Sequence, residues 1–106
     1  MMKVIADLCM IPLVKETSLS PYIAEVELIL KKRGLHPRLH AYGTNVEGDW
    51  DEVMGAIREA HERLHDMGVP RISSNLRFGT RVDREQTGED KIRSVRAKLE
   101  ACGDDS

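Results

Sequence analysis

Residues 61 to 65 read HERLH and match the H-E-x-x-H pattern of helical zinc sites. Two histidines four residues apart lie on one side of a helix and can bind one metal ion, and the glutamate between them can activate a water molecule. No third ligand follows at a familiar spacing, however, and His61 falls on the apolar stripe of its helix. We therefore expect a partly buried His61, a solvated His65 and no bound metal, which leaves a metal hydrolase as a disfavoured alternative.

The stretch YGTNVEGDWDEV, residues 42 to 53, holds an acidic residue that folding alone does not explain. Gly43 predicts a tight turn, and Asp49 with Glu52 three residues later predicts a capping box at a helix start. Glu47 should leave its strand on the face away from the helices. We interpret Glu47 as a ligand-facing carboxylate at a subunit interface, with a solvated side chain as the alternative.

Two serines precede the first predicted helix, where backbone N–H groups can meet a hydroxyl or an anion. We expect Ser20 to cap this helix ahead of Pro21, which leaves Ser18 free for a ligand. The sequence has no serine-nucleophile elbow, phosphate loop or dinucleotide fingerprint, so we expect a protein that is not an enzyme and uses no cofactor.

Four arginines in the last predicted strand and in the loop that follows it could hold an anion. Because Asp83 and Glu85 alternate with them, ion pairs are the favoured interpretation. The group comprises Arg71, Arg77, Arg81 and Arg84.

The 106 residues suffice for one small domain, which we assign to residues 1–106. A net charge of -2 argues against a dedicated nucleic-acid binder, and no run of eighteen apolar residues is present to span a membrane. The N-terminus has an early Asp7 and no small-residue cleavage site, so we expect no signal peptide. Cys9 and Cys102 have no CxxC spacing, which favours free thiols. We expect a cytoplasmic location.

The elements that must position these residues follow the order β-α-β-β-α-β with a further helix at the C-terminus. This order predicts an α+β, ferredoxin-like βαββαβ sandwich with an additional C-terminal helix, in which strands one and three are central. The predicted elements are strand 3–13, a helix from Ser20 to Arg33, edge strand 35–42, strand Thr44 to Glu47, a helix from Asp49 to Gly68, strand 71–78 and a helix capped by Thr87.

Helices cover only one face of such a sheet. Alternation in the first strand assigns Val4, Ala6, Leu8 and Met10 to the helix side and leaves Ile5, Cys9 and Ile11 on the open face, so we predict a homodimer or homotetramer that packs through sheet faces. Polar groups on that face need partners or a polar ligand. They are Asp7, Arg38, His40, Tyr42, Asn45, Glu47, Ser73, Asn75 and Arg77.

Five sequence elements together resemble one known family across nearly the whole chain. They are a strand ending in Ile-Pro, Ser-x-Ser-x-Tyr-Ile-Ala at a helix start, Tyr-Gly-Thr-x-Val-Glu-Gly-Asp, Ala-His-Glu, and Phe-Gly-Thr-Arg-x-Asp. The chain is similar to the small thiamine-binding protein family, also described as the MTH1187/YkoF-like or UPF0045 group. The resemblance implies a ferredoxin-like subunit, assembled into dimers and often tetramers, that binds thiamine or its hydroxymethylpyrimidine half without chemical change.

Carried over by motif, the resemblance points to Thr44, Val46, Glu47, Gly48, Ser18 and Ser20. An aminopyrimidine also suits the open face, since Glu47 with Asn45 or Asn75 can pair with its nitrogens. Tyr42 can stack on the ring, and Asp7 can neighbour a cationic thiazolium. We therefore expect a binding protein for salvage, transport or sensing, with a structural or regulatory homo-oligomer as the alternative.

Overall fold

The computed structural model describes residues 2–103. Four antiparallel strands form one sheet in the order β2-β3-β1-β4, which confirms the predicted ferredoxin-like arrangement with strands one and three at the centre. The elements are β1 (Lys3–Leu13), α1 (Ser20–Lys32), β2 (Arg38–His40), β3 (Gly43–Asp49), α2 (Trp50–Asp66), β4 (Arg71–Thr80) and α3 (Gly88–Ala101). Among these described residues, no helix is both long and apolar enough to cross a membrane.

The sheet register confirms which side chains share a face. Asp7 lies opposite Asn45 on β3 and opposite Arg77 on β4, while Ile5 lies opposite Glu47. Because directly opposed residues of antiparallel strands point the same way, these polar groups share the open face. The even-numbered residues of β1 point to the helices and are buried.

The core lies between the sheet and helices α1 and α2. It contains only apolar side chains apart from Thr44, which is buried with 4% of its surface exposed. Alternation in β1 and the 3.6-residue period of the two helices explain this packing. The buried apolar residues are Val4, Ala6, Leu8, Met10, Val26, Ile29, Leu30, Leu35, Val46, Val53, Ala56, Ala60, Leu64 and Val69.

The structure corrects two predicted helix caps. Helix α1 begins at Ser20, so its N-cap is Leu19, and no side chain caps it. Asp49 does occupy the N-cap of α2, but its side chain makes no capping bond, and its Oδ1 atom is buried without a hydrogen-bond partner among the described residues. The predicted cap of α3 is confirmed, since Thr87 and Asp90 form a reciprocal capping box.

The second strand is shorter than predicted. It covers only Arg38–His40 instead of residues 35–42, because Leu35 turns into the core and His36 adopts a positive φ of 49°. Tyr42 consequently lies in the turn before β3, with 86% of its surface exposed, so its predicted place on the open face of a strand is wrong.

Helix α3 extends away from the packed body. None of its residues is buried, and the apolar side chains of Ile92, Val95 and Leu99 stay 43%, 59% and 37% exposed. The radius of gyration is 16.0 Å, whereas a compact chain of this length gives about 13 Å. The helix therefore stands as an arm joined to the sheet near its first turn.

Candidate ligand site

A cavity of about 280 Å³ opens where β1 runs past the end of β3. Strand β3 pairs with β1 only as far as Leu8, whereas β1 continues to Leu13 along β4. The first turns of α1 and the hairpin between β2 and β3 close the space beside the overhanging part of β1. The lining residues are Leu8, Cys9, Met10, Ile11, Leu19, Ile23, Val26, Glu27, Leu39, His40, Ala41, Tyr42, Gly43 and Thr44.

A carboxyl–hydroxyl pair lies in this largely apolar cavity. The Thr44 hydroxyl donates to Oε2 of Glu27 over 2.9 Å. Burial raises the pKa of the Glu27 carboxyl above its usual range, and the hydrogen bond from Thr44 offsets part of this rise. Glu27 therefore takes up a proton more readily than an exposed glutamate and can serve as donor or acceptor toward a ligand.

Sequence reasoning missed Glu27, although the sequence contains a signal for it. Ile23, Val26 and Leu30 mark the apolar face of α1, and Glu27 occupies the same face one turn after Ile23. An acidic residue inside such a stripe must find a partner or change its protonation state. That conflict identifies Glu27 as a candidate functional residue.

A second polar pair stands at the rim of the cavity. Nε2 of His40 lies 2.7 Å from Oδ1 of Asp7, and Nδ1 of His40 accepts the backbone N–H of Tyr42 at 3.3 Å. Since Nδ1 accepts, Nε2 must carry the hydrogen that Asp7 receives. The pair fixes the hairpin turn relative to β1.

Gly43 permits the close approach of the hairpin to β1. A Cβ atom at this position would stand 2.7 Å from the backbone oxygen of Leu8 and 3.2 Å from Oδ1 of Asp7. No larger residue fits without displacing the strand, so Gly43 helps to set the shape of the cavity.

Glu47 binds the start of helix α3. Its Oε2 atom accepts the backbone N–H of Gly88 over 2.6 Å, and the neighbouring Glu89 forms an ion pair with Arg38 of β2. A carboxylate at a helix N-terminus satisfies an otherwise free N–H and interacts favourably with the helix dipole. The carboxylate that folding left unexplained thus has an intramolecular partner.

The structure divides the predicted ligand residues into separate places. Thr44 and Tyr42 line the cavity, whereas Asn45, Glu47 and Asn75 lie on the open face of the sheet. Asp7 also belongs to the open face and reaches the cavity rim through His40. The exposed Ser18 and Ser20 flank Leu19, which lines the cavity, but neither serine does so itself.

The two histidines of HERLH make local contacts. His61 is half-buried and lies 2.8 Å from the Ser74 hydroxyl, and the exposed His65 donates from Nδ1 to the carbonyl of Val69 over 2.7 Å. Burial, followed by the nearby charge of His65, lowers the pKa of His61. Within residues 2–103, no group of three or more metal-ligating side chains comes together.

The charged loop before α3 contains the predicted ion pair. Arg81 donates through Nε to Asp83 over 2.6 Å and through Nη1 to Gln86 over 2.7 Å. The hydrogen bond from Arg81 lowers the pKa of Asp83. For Arg81, the ion-pair interpretation is confirmed.

The fold and the cavity define a small α+β protein with space for one small molecule beside an overhanging strand. The sequence model of the thiamine-binding protein family matches residues 6–96, and the chain belongs to this family. It is 50% identical over 99 residues to the UPF0045 protein sll0230 of Synechocystis, and the match covers 93% of this chain and 82% of that protein.

Solved structures show the same architecture. The protein MJ1052 of Methanocaldococcus jannaschii gives a TM-score of 0.82 at 38% identity, with 90% of this chain and 97% of that one covered. A candidate thiamine biosynthesis or salvage protein of Thermotoga maritima, TM0486, gives a TM-score of 0.74 at 22% identity, with 89% and 99% covered. The latter likeness shows the shared fold.

Proposed function

We propose that this chain is a non-catalytic cytoplasmic binding protein for thiamine or its hydroxymethylpyrimidine half, acting in salvage, transport or sensing. The observation that carries the proposal is the cavity that holds Glu27 and Thr44 among apolar walls. Membership of the thiamine-binding protein family supports the ligand class.

An aminopyrimidine matches the chemistry of this cavity. Its faces are apolar and suit side chains such as Ile23 and Val26, whereas its ring nitrogens need hydrogen-bond donors. Glu27, with its raised pKa, supplies a carboxyl hydrogen to a ring nitrogen, while Thr44 continues to bond the other carboxyl oxygen. Tyr42 lies at the mouth of the cavity, where its ring can cover the ligand.

The thiazolium half of thiamine then extends toward the rim. Asp7 and His40 stand there, and the Asp7 carboxylate favours a cationic ring. Ser18 and Ser20 flank the lining residue Leu19 in sequence, and we include them in the proposal as groups that can reach the ligand from outside the cavity. The proposal therefore adds Glu27 to the ligand residues that were predicted from the sequence.

The open sheet face supports the proposal of a homo-oligomer, a dimer or a tetramer. Ile11 and Leu13 point to this face and stay 37% and 44% exposed, and the apolar side of α3 is uncovered. Association of sheet faces would remove this apolar surface from water. Asn45, Glu47 and Asn75 would then satisfy polar contacts across or beside that interface.

Ligand binding is tested by thermal unfolding with thiamine and hydroxymethylpyrimidine. Ligand at about one hundred times its dissociation constant stabilises a protein by about 2.7 kcal/mol, which corresponds to roughly 10 °C for a domain of this size. We expect Glu27→Leu to lose this shift and the exposed Glu62→Leu to keep it. Absence of a shift for the wild-type protein at millimolar concentrations of both compounds would refute the proposal.

The engagement of Glu47 by α3 favours a second candidate function, a structural or regulatory homo-oligomer without a thiamine ligand. In that case the polar residues of the open face serve assembly alone. Native mass spectrometry of the purified protein distinguishes the two, because it reports the subunit number and any retained ligand of thiamine-like mass in one measurement.

A further inference from the structure

The overhanging part of β1 presents main-chain groups toward the cavity. The Leu8 carbonyl oxygen stands only 2.7 Å from where a Cβ atom of Gly43 would be, so the backbone N–H and C=O of Leu8 point toward β3. At the other end of the strand, the backbone N–H of Trp50 donates to the carbonyl of Met2 over 2.8 Å. The main-chain groups of the even-numbered residues Met2 and Leu8 therefore both point toward the β3 side. Since strand backbone groups alternate in direction, those of Met10 also point past the end of β3.

Met10 has no strand partner on this side. The pairing with β3 ends at Leu8, and none of the turn and loop bonds in the described part of the chain reaches Met10. The register of β1 with β4 continues without a break to Leu13, so no bulge reverses the alternation. The next residue of the same parity, Pro12, has no N–H to offer.

The side chain and the main chain of Met10 therefore face different surroundings. The side chain is buried in the core with 5% exposure, while the residue as a whole lines the cavity. In an extended residue the N–H and C=O point the same way and can both bond one neighbouring group, as they do in a hydrogen-bonded residue pair of two antiparallel strands. Buried main-chain groups of this kind normally have a partner.

We propose that Met10 recognises the edge of a bound 4-aminopyrimidine, with its N–H donating to a ring nitrogen and its C=O accepting from the adjacent amino group. The ring takes the place opposite Met10 that a residue before Gly43 would occupy if β3 extended further along β1. Glu27 then serves the second ring nitrogen from α1. This assignment rests on the proposed function and narrows its ligand class to rings that carry an acceptor and a donor side by side.

The assignment predicts discrimination against 4-oxopyrimidines. Replacement of the amino group by an oxo group reverses the hydrogen-bonding role at both positions, because the ring nitrogen becomes a donor and the exocyclic atom becomes an acceptor. The Met10 N–H then meets a donor and its C=O an acceptor. Two mismatched groups lower the affinity by at least about 30-fold.

The experiment uses hydroxymethylpyrimidine and its 4-oxo analogue as probes, with the full chain labelled with ¹⁵N. We expect saturating hydroxymethylpyrimidine to move the Met10 amide proton downfield and to slow its exchange with solvent. The 4-oxo analogue should bind at least about 30-fold more weakly. Thiamine, which carries the same aminopyrimidine edge, should reproduce the effect on the Met10 amide.

A matched pair of variants isolates the N–H group. Met10→Ala and Met10→Pro both truncate the core side chain, but only the proline removes the N–H, and that N–H bonds neither neighbouring strand. We expect Met10→Pro to bind hydroxymethylpyrimidine about tenfold more weakly than Met10→Ala. If Met10→Pro fails to fold, the amide measurement decides.

The outcomes separate the two proposals. Binding of hydroxymethylpyrimidine without any change at the Met10 amide, or equal affinity for the 4-oxo analogue, overturns the assignment of Met10 and leaves the binding function standing. Failure of both hydroxymethylpyrimidine and thiamine to bind overturns the proposed function and this inference with it.

Discussion

Replacing Thr44 with valine tests the carboxyl–hydroxyl pair of the cavity without a ligand. Valine keeps the branched shape that a buried strand position requires, but it removes the hydroxyl that donates to Glu27 over 2.9 Å. Hydrogen bonds to charged groups contribute about 1.5–3 kcal/mol. Because Glu27 is only half-buried and water can partly replace the hydroxyl, we expect Thr44→Val to lower the free energy of unfolding by about 1–2 kcal/mol at pH 7.5.

The cost of Thr44→Val should depend on pH in a defined direction. Burial raises the pKa of Glu27, so its ionisation opposes folding, and the stability that protonation confers is lost as the pH rises through that pKa. The Thr44 hydroxyl stabilises the ionised form and limits this loss. Its removal should therefore be more costly at pH 7.5 than at pH 4.

Urea unfolding at fixed protein concentration provides the measurement, since assembly would make stability depend on concentration. Thr80→Val, at an exposed position of β4, is the control and should change stability by less than about 0.5 kcal/mol. A Thr44→Val variant that matches Thr80→Val at pH 7.5, or whose cost grows toward pH 4, would refute the role assigned to the pair.

Three further predictions concern other parts of the site and fold. Gly43→Ala should lower the free energy of unfolding by about 1–3 kcal/mol, because its Cβ meets a backbone oxygen, whereas Gly79→Ala has open space and should not; chemical denaturation of both compares them. Glu47→Ala should speed hydrogen exchange in the first turn of α3 while exchange in the core stays unchanged, and equal protection in both proteins would contradict the docking contact. His61→Gln should reduce the loss of stability as pH falls from 7.5 to 5.5, because the lowered pKa of His61 makes protonation favour the unfolded state; unchanged pH dependence in urea titrations would count against this.

Local patterns explain why most of the architecture was predictable. The alternation of β1 assigned each of its residues to the correct face, and the apolar stripe of α2 located that helix and the half-buried His61. These patterns report periodic burial, which depends on residues close together in sequence. The predicted β2 was too long, because a positive φ at His36 and an inward-pointing Leu35 interrupt the strand-like alternation of this segment.

The candidate site depended on contacts that periodicity does not encode. The motif pointed to Thr44, which lines the cavity, but the partner of its hydroxyl, Glu27, lies 17 positions away on another element. The contact of Glu47 with Gly88 spans 41 positions and depends on how a charged loop directs α3. Such long-range pairings follow from tertiary geometry and become visible only when the chain is folded.

The length of the β2–β3 hairpin has a consequence for how this chain can vary. Neighbouring residues of β3 serve opposite faces, with Thr44 turned to Glu27 and Asn45 turned to the open sheet. A single residue inserted at the turn, if absorbed by shifting β3, would exchange these two side chains between the faces. The sheet could still form, yet the cavity would lose the hydroxyl that donates to Glu27. We infer that natural variants tolerate substitutions at Ala41 far better than insertions or deletions in this turn.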